Sequence, residues 1–475
     1  MADAQGWALA LRLGTLALLS LAMGPSAADP ARATEAPQVT VRVDAAPKQV
    51  FAGFGASQPT DQGRLFTHYG HARVSRLAGA VYSELGMNMV RLWVHAGADL
   101  DVGRMKRRFK ASYLNNGYLA LLQRAGAKAV LLAPARGEGA PDESMQEYAT
   151  KLATFIRDIQ DEHGLHIHAT GVANEPAGFS AIQLRDAVRL LREALDMRGL
   201  HDVAIIAPEC ASPDACATRA ISEMKRMPSA WRALSGVATH SYNMGANSRV
   251  EALVLGTGKD YWMTEAGRAL PRPRDGAGRA ILVEEEPGET AEAATTAARF
   301  LNDMNHSVTH WFWFIGIGAF DQHPAKDSAQ VLARPDDATG GIKYNTKYHY
   351  LWQLRRTFEL GARFHGTLSD REGRMTWDYG QKPAITVAAA QNPDGSWGVG
   401  VANTTGIRST KITRFHPAAT WTVRIILPEA ARGQEYAATR SRHFGPRPDG
   451  VVMPDPNGVL EVRVGPHELL TLRSQ

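Results

Sequence analysis

The chain is 475 residues long, with 44% hydrophobic and 21% charged residues and a formal net charge of +5. That length exceeds one ordinary domain, and the composition excludes a disordered or fibrous chain. The basic excess is small and no basic cluster is interleaved with aromatics, so no nucleic-acid partner is expected.

In chain order, the first feature is Arg12 followed by an apolar run from Leu13 to Met23 and then Ser26-Ala27-Ala28. This predicts a signal peptide over residues 1–28 and a secreted protein, extracellular or periplasmic. The run is too short to span a bilayer comfortably, and no other segment reads as a membrane span, so no stable membrane insertion is expected. Gln38 to Val43 alternates as a strand should, and Ala46-Pro47 marks a turn before Gln49-Val50-Phe51. Residues 29–50 are therefore assigned to N-terminal strands that join a later sheet, because strands this early need a partner.

Eight apolar runs follow: Phe51 to Ala56, Met87 to Val94, Ala129 to Ala133, Ile167 to Ala173, Val203 to Ala207, Leu234 to His240, Asp260 to Thr264 and Thr309 to Ile315. They are continuous rather than alternating, as strands covered on both faces are. Helices lie between them. Ser144 with Glu147 and Ser180 with Gln183 read as capping boxes, and Tyr148, Leu152, Phe155 and Ile159 form a stripe at helical spacing that stops at Gly164. Strand and helix alternating eight times predict an α/β fold, a (β/α)8 TIM barrel over 51–358. Pro271 to Gly288 is rich in Pro and Gly and reads as a long loop bordering the barrel mouth. Beyond a last helix at Tyr344 to Phe358 the texture changes. Ala384 to Ala389, Gly398 to Ala402, Trp421 to Ile426 and Val459 to Val464 are strand-like and separated by turns such as Pro393-Asp394-Gly395. Residues 359–475 are predicted to form an attached antiparallel β-sandwich.

Barrel enzymes carry their chemistry at the carboxyl ends of the strands. The fourth run delivers Asn174 and Glu175 there, the sixth His240 and Tyr242, the seventh Glu265, and the eighth Trp311 and Trp313; Arg91 lies within the second. Two carboxylates aimed at one pocket are the minimum for cleaving a glycosidic bond, one as protonated acid and one as ionised nucleophile. An arginine and a phenol beside the nucleophile would keep it charged. An amide beside the acid can hold a sugar hydroxyl, indole faces can form an apolar platform, and Gly53 and Gly55 would let the sugar approach. Each residue alone has a blander reading: a strand-end Glu on the surface, a His–Tyr pair satisfying itself, Trp in the core, an Arg in a structural ion pair. It is the order of the two Glu motifs, on strands four and seven, that favours catalysis. Cys210 and Cys216 are close enough for a small-loop disulfide, with free thiols the alternative. No zinc-like spacing occurs, and neither a metal nor another cofactor is expected.

Gly53-Phe54-Gly55-Ala56-Ser57, Asn174-Glu175-Pro176, His240-x-Tyr242 and Trp262-Met263-Thr264-Glu265 together resemble glycoside hydrolase family 30, the glucosylceramidase, xylanase and β-1,6-glycanase group of the Asn-Glu clan. The segment Tyr348 to Phe364 is similar to that family's junction between barrel and sandwich. The resemblance implies a retaining β-glycoside hydrolase with Glu175 as acid/base and Glu265 as nucleophile, acting as a monomer on an oligo- or polysaccharide. Two segments depart from the family pattern, Ala133-Pro134-Ala135-Arg136-Gly137 and Gln58-Pro59-Thr60-Asp61, and both fall where subsite walls are expected. A catalytically silent carbohydrate-binding protein or a transglycosylase would carry the same residues. Asn305-His306-Ser307 and Asn403-Thr404-Thr405 are glycosylation sequons, meaningful in a eukaryotic host.

Overall fold

The computed structural model describes residues 36–475 apart from 59–62, 97–100, 136–143, 177, 243, 269–275, 277–287, 319–328, 379–380, 408–414 and 444. The expected signal peptide therefore lies outside the described residues, as does the loop of 271–288 apart from Gly276 and Gly288. No helix among the described residues is long and apolar enough to cross a membrane.

Strand β1 (Gln38–Val50) precedes a closed parallel barrel. The barrel comprises β2 (Gly53–Gln58), β3 (Met89–His95), β4 (Ala129–Ala135), β5 (Ala169–Gly171), β6 (Ala204–Cys210), β7 (Gly236–Ser241), β8 (Asp260–Ala266) and β9 (His310–Trp313), and β9 pairs back onto β2 to close the ring. Alternate residues point inward and outward. The inward set Met89, Leu131, Ala169, Ile206, Ala238, Trp262 and Phe312 forms a core of its own inside the ring, while Phe54, Val90, Leu132, Ile205, Val237 and Trp311 join the core beneath the helices. This double burial is why each strand is written as a continuous apolar run. It also corrects one expectation. A Cβ on Gly53 would lie 2.3 Å from the His310 ring, and one on Gly55 2.5 Å from Phe312. These glycines make room for aromatic rings inside the barrel, not for a sugar.

The helices begin where their caps predict. Ser180 and Gln183 exchange side-chain hydrogen bonds with each other's amides at 3.1 and 2.8 Å, a complete capping box. Ser144 Oγ accepts from the Glu147 amide at 3.2 Å, the forward half of a box, and the helix Met145–His163 ends at Gly164 with φ of 60°. The helix Gly288–Asn305 is buried on nearly every side, because it is covered by the barrel on one face and by the β-rich module on the other. Its run of alanines lets both neighbours come close.

After the small sheet β10 (Ile315–Ile317), β11 (Val331–Pro335) and β12 (Ile342–Tyr344) come β13 (Arg363–Ser369), β14 (Ile385–Gln391), β15 (Trp397–Asn403), β16 (Trp421–Ile426), β17 (Tyr436–Ser441), β18 (Arg447–Val452), β19 (Val459–Val464) and β20 (Leu469–Ser474). With β1 these last eight form the β-rich module, one sheet of nine strands in the order β18-β17-β20-β15-β14-β13-β1-β16-β19. All pairings are antiparallel except β1 with β16. Val41 of β1, Val399 of β15, Ile425 of β16 and Leu460 of β19 share one core, so the sheet folds over onto itself and encloses an interior as a sandwich does. β1 sits between β13 and β16 within that sheet. The sequons lie inside the protein. Asn305 and Asn403 are fully buried, Asn305 Nδ2 donating to Val387 O at 2.7 Å and Asn403 Nδ2 to Val464 O at 2.9 Å, so neither can carry a glycan in the folded chain.

Candidate active site

Strand parity delivers most of the site. Along β3, Met89 is an interior residue, so Arg91 and Trp93 also face inward, nearer the carboxyl end. Along β7, interior Ala238 places His240 and then Tyr242 on the same side. Two strands need a further device. In β8 the register against β7 steps from Thr239↔Met263 to His240↔Glu265, a bulge that turns Glu265 to the inside opposite His240. In β6 a second register shift falls between Pro208 and Cys210, and the extra residue is Glu209 at φ 55°. Bulges beside active sites commonly re-aim side chains in this way. Glu175, just past β5, is held at φ 43°, with its amide donating to Glu209 O at 3.1 Å. Left-handed backbone in non-glycine residues is costly and concentrates at functional sites.

The result is one connected cluster. Arg91 is fully buried and its Nη1 donates to Glu265 Oε1 at 2.5 Å, while Nη2 donates to Asn174 Oδ1 at 2.5 Å and Glu209 Oε1 at 3.1 Å. The Tyr242 hydroxyl donates to Glu265 Oε2 at 2.5 Å. His240 Nδ1 lies 3.0 Å from Glu175 Oε1 and 3.7 Å from Glu265 Oε2, bridging the two carboxylates. One oxygen from each of Glu175 and Glu265 and one nitrogen of His240 all fall within 4.8 Å of each other. The two acids differ sharply in setting: the Glu265 side chain is 2% exposed and that of Glu175 43% exposed.

Charge explains the protonation states. Burial opposes the Arg91 cation, but Glu265 and then Glu209 outweigh it and raise its pKa further. Burial likewise opposes the His240 cation, yet Glu265 and the bond to Glu175 prevail and lift its pKa above the ordinary 6.5. Burial and the neighbouring Glu265 push the Tyr242 phenol well above 10, so it remains a donor across the working pH range. A raised histidine pKa stabilises the fold most fully below the unfolded value of 6.5, and that contribution fades as pH rises through the folded value. The stability advantage of the wild type over His240→Gln should therefore be largest on the acid side of 6.5 and shrink towards pH 9 in melting curves. A gap that does not vary with pH would refute a charged His240.

Arg91, Asn174, Glu175, His240, Tyr242 and Glu265 thus converge. Trp311 and Trp313 do not. Both are fully buried on the outward face of β9, the Trp311 indole donating to Asp303 Oδ2 at 2.9 Å and stacking near Phe54, and the Trp313 indole donating to Gln330 O at 2.5 Å. Inward-facing His310 and Phe312 fix that parity. Among the described residues, partly exposed aromatics at the mouth include Trp93 and Phe314, 6.1 Å apart, with Tyr242 5.9 Å from Phe314. Sequence reading also missed Arg299, which holds the end of β7 by donating to Ser241 O at 2.5 Å and Tyr242 O at 3.0 Å. It missed Glu209 too, although the run Val203 to Ala207 stops at Pro208-Glu209, the same strand-end carboxylate signal that marks Glu175 and Glu265.

Cys210 and Cys216 are disulfide-bonded, which ties the end of β6 to the helix Ala215–Arg226. The trio Glu175, His240 and Glu265 could converge on a cation by distance alone. Both oxygens of Glu265 are already taken by Arg91 and Tyr242, so this donor set suits an acid pair with a built-in cation better than a metal ion.

No protein-family model and no curated protein sequence matches the chain. Solved structures do match over nearly its whole length. The catalytic domain of a GH30 xylanase C from Talaromyces cellulolyticus aligns with a TM-score of 0.66 at 14% identity, covering 92% of this chain and 100% of that one. The GH30 subfamily 8 xylanase from Clostridium acetobutylicum gives 0.63 at 15%, covering 92% and 99%. An endo-β1,6-glucanase gives 0.57 at 15%, covering 93% and 94%. At such identities the likeness establishes the fold: a TIM barrel with an attached β-rich module, as in the GH30 structures.

Proposed function

We propose that the protein is a retaining β-glycoside hydrolase in which Glu265 is the nucleophile and Glu175 the acid/base. The observation that carries this reading is the approach of the two carboxylates to within 4.8 Å at the carboxyl-end mouth of the barrel. Retaining enzymes hold their carboxyl groups about 5–5.5 Å apart, whereas inverting ones leave about 6.5–9.5 Å for a water. Glu265 is buried, and a guanidinium and a phenol each bond one of its oxygens and fix its orientation, as a positioned nucleophile needs. Glu175 stands at the rim, where a leaving group and later a water can reach it. Asn174 spends its oxygen on Arg91, which leaves its amide protons for a sugar hydroxyl.

In the first half of the reaction a Glu265 oxygen bonds to the anomeric carbon as the glycosidic C–O bond breaks. The electron pair stays on the leaving oxygen, which takes the proton of Glu175. In the second half Glu175 takes a proton from water, the hydroxide bonds to the anomeric carbon, and Glu265 departs as carboxylate. The matching structures are named as xylanases and an endo-β1,6-glucanase, which supports a β-linked polysaccharide as substrate. Trp93 and Phe314 offer such a substrate an apolar rim. The disulfide, the leader-like first 28 residues and a matching structure described as an exported Bacteroides fragilis protein support secretion.

The test is incubation with β-1,4-xylan, β-1,6-glucan and aryl β-glycosides, following the first-formed anomer by proton NMR. A β-configured initial product is expected; an α product would exclude retention, and binding without hydrolysis would favour a silent carbohydrate-binding protein. Tyr242→Phe removes a hydrogen bond to a charged group, an interaction of about 1.5–3 kcal/mol. It should lower kcat/KM about 10- to 100-fold without altering the circular dichroism. Wild-type kinetics in that variant would remove Tyr242 from the machinery.

A further inference from the structure

The double displacement described above leaves one buried carboxylate of the cluster, Glu209, without a task. Glu209 is fully buried, sits at the bulge of β6 with φ of 55°, and faces a point on β5 where only glycine fits: a Cβ on Gly171 would lie 1.8 Å from Glu209 Oε2. Its Oε1 accepts from Arg91 Nη2 at 3.1 Å, and its Oε2 has no hydrogen-bond partner among the described residues. A carboxylate buried in this way is unfavourable unless a cation faces it, and Arg91 is that cation. Arg91 needs only one carboxylate for a pair, yet it has two.

We propose that Glu209 is the standing counter-ion of Arg91, a positioning residue that keeps the buried site neutral on both sides of the covalent step. The proposal rests on the reading of Glu265 as nucleophile. Before reaction the charged groups are Arg91 and His240, positive, and Glu265 and Glu209, negative, with Glu175 protonated. Attack turns Glu265 into a neutral ester, and the proton of Glu175 leaves on the alcohol. The intermediate then contains two complementary pairs, Glu175 with His240 and Glu209 with Arg91, and its net charge is unchanged. Without Glu209, esterification would strand the fully buried Arg91 guanidinium as an unpaired cation.

Five groups surround the reacting acid: Arg91 on β3, Glu175 after β5, Glu209 on β6, and His240 and Tyr242 from β7. Glu209→Gln keeps the shape and removes the charge, which leaves the site one unit more positive and favours the ionised form of every remaining carboxyl. The expected result is a kcat/KM about 10- to 100-fold lower, with both limbs of its pH profile displaced to lower pH by about one unit. Glu209→Asp, which keeps the charge, should return the limbs to their wild-type positions. Limbs that stay in place in a folded Glu209→Gln protein, whatever the rate, would overturn the proposal. If that variant does not fold, the wild type decides. Difference infrared spectra before and after trapping with a 2-deoxy-2-fluoroglycosyl fluoride of the sugar the enzyme releases should show one ester gained, the protonated carboxyl of Glu175 replaced by a carboxylate, and no new protonated carboxyl. A new protonated carboxyl band would mean that Glu209 does not stay ionised beside Arg91. Glu265→Gln is measured in parallel. If it retains turnover, the nucleophile assignment itself fails; if it is inactive while Glu209→Gln matches the wild type in rate and profile, only the role of Glu209 falls.

Discussion

Glu265→Gln is expected to lower kcat by about 10⁴-fold or more, the scale of loss seen when a covalent nucleophile is removed. The amide can still occupy the space between Arg91 and Tyr242 but cannot bond to the anomeric carbon as a carboxylate does. Glu175→Gln should behave differently. A lost general acid costs about 10²- to 10⁴-fold on a polysaccharide, whose leaving alcohol needs a proton, and much less on an aryl glycoside, whose leaving group does not. Azide separates the two roles further. In a Glu265→Gly protein, azide enters from the vacated face and should give the α-glycosyl azide from a β-glycoside. In a Glu175→Gly protein, it should intercept the covalent intermediate and give the β-glycosyl azide. Reversed anomers would exchange the two assignments, and full turnover in either Gln variant would end them.

Arg91→Met carries the largest expected loss of stability. Arg91 is wholly buried between Glu265 and Glu209, and its side chain is also the donor to Asn174 and Ser57. Removing one partner of a buried ion pair typically costs about 3–5 kcal/mol, because the remaining charge stays in a medium that cannot solvate it. Here two carboxylates are left behind. Arg91→Lys should recover only part of the loss, since a point-like ammonium cannot fork onto Glu265, Glu209 and Asn174 at once. The decisive measurement is a double-mutant cycle in urea with Glu209→Gln. The pair Arg91→Met with Glu209→Gln should be more stable than the sum of the single changes by about 1 kcal/mol or more. Simple additivity would show that the two side chains do not interact energetically.

The neighbourhood these variants probe was only partly visible in the linear chain. Asn174-Glu175 and Thr264-Glu265 could be found because each ends an apolar run, and an apolar run is what a strand buried on both faces requires. His240 and Tyr242 are legible for the same reason, since they stand at the carboxyl end of the run Leu234 to His240. Glu209 carries the same strand-end signal, but its place beside Arg91 depends on a bulge in β6 that the sequence does not announce. Trp311 and Trp313 were misplaced, because which face of β9 they occupy depends on His310 and Phe312 filling the barrel interior.

What the chain determines by itself is local: hydrophobic period, capping pairs, and the strand ends at which acidic side chains occur. Those follow from interactions between residues near one another in sequence, or from the requirement that apolar residues leave water. What only the tertiary structure decides is which way a side chain faces once strands are joined. A bulge in β8 turns Glu265 inward and one in β6 does the same for Glu209, and closure of the ring brings Arg91 between them. The register of a strand is set by its neighbours across the sheet, and one added residue reverses every orientation beyond it.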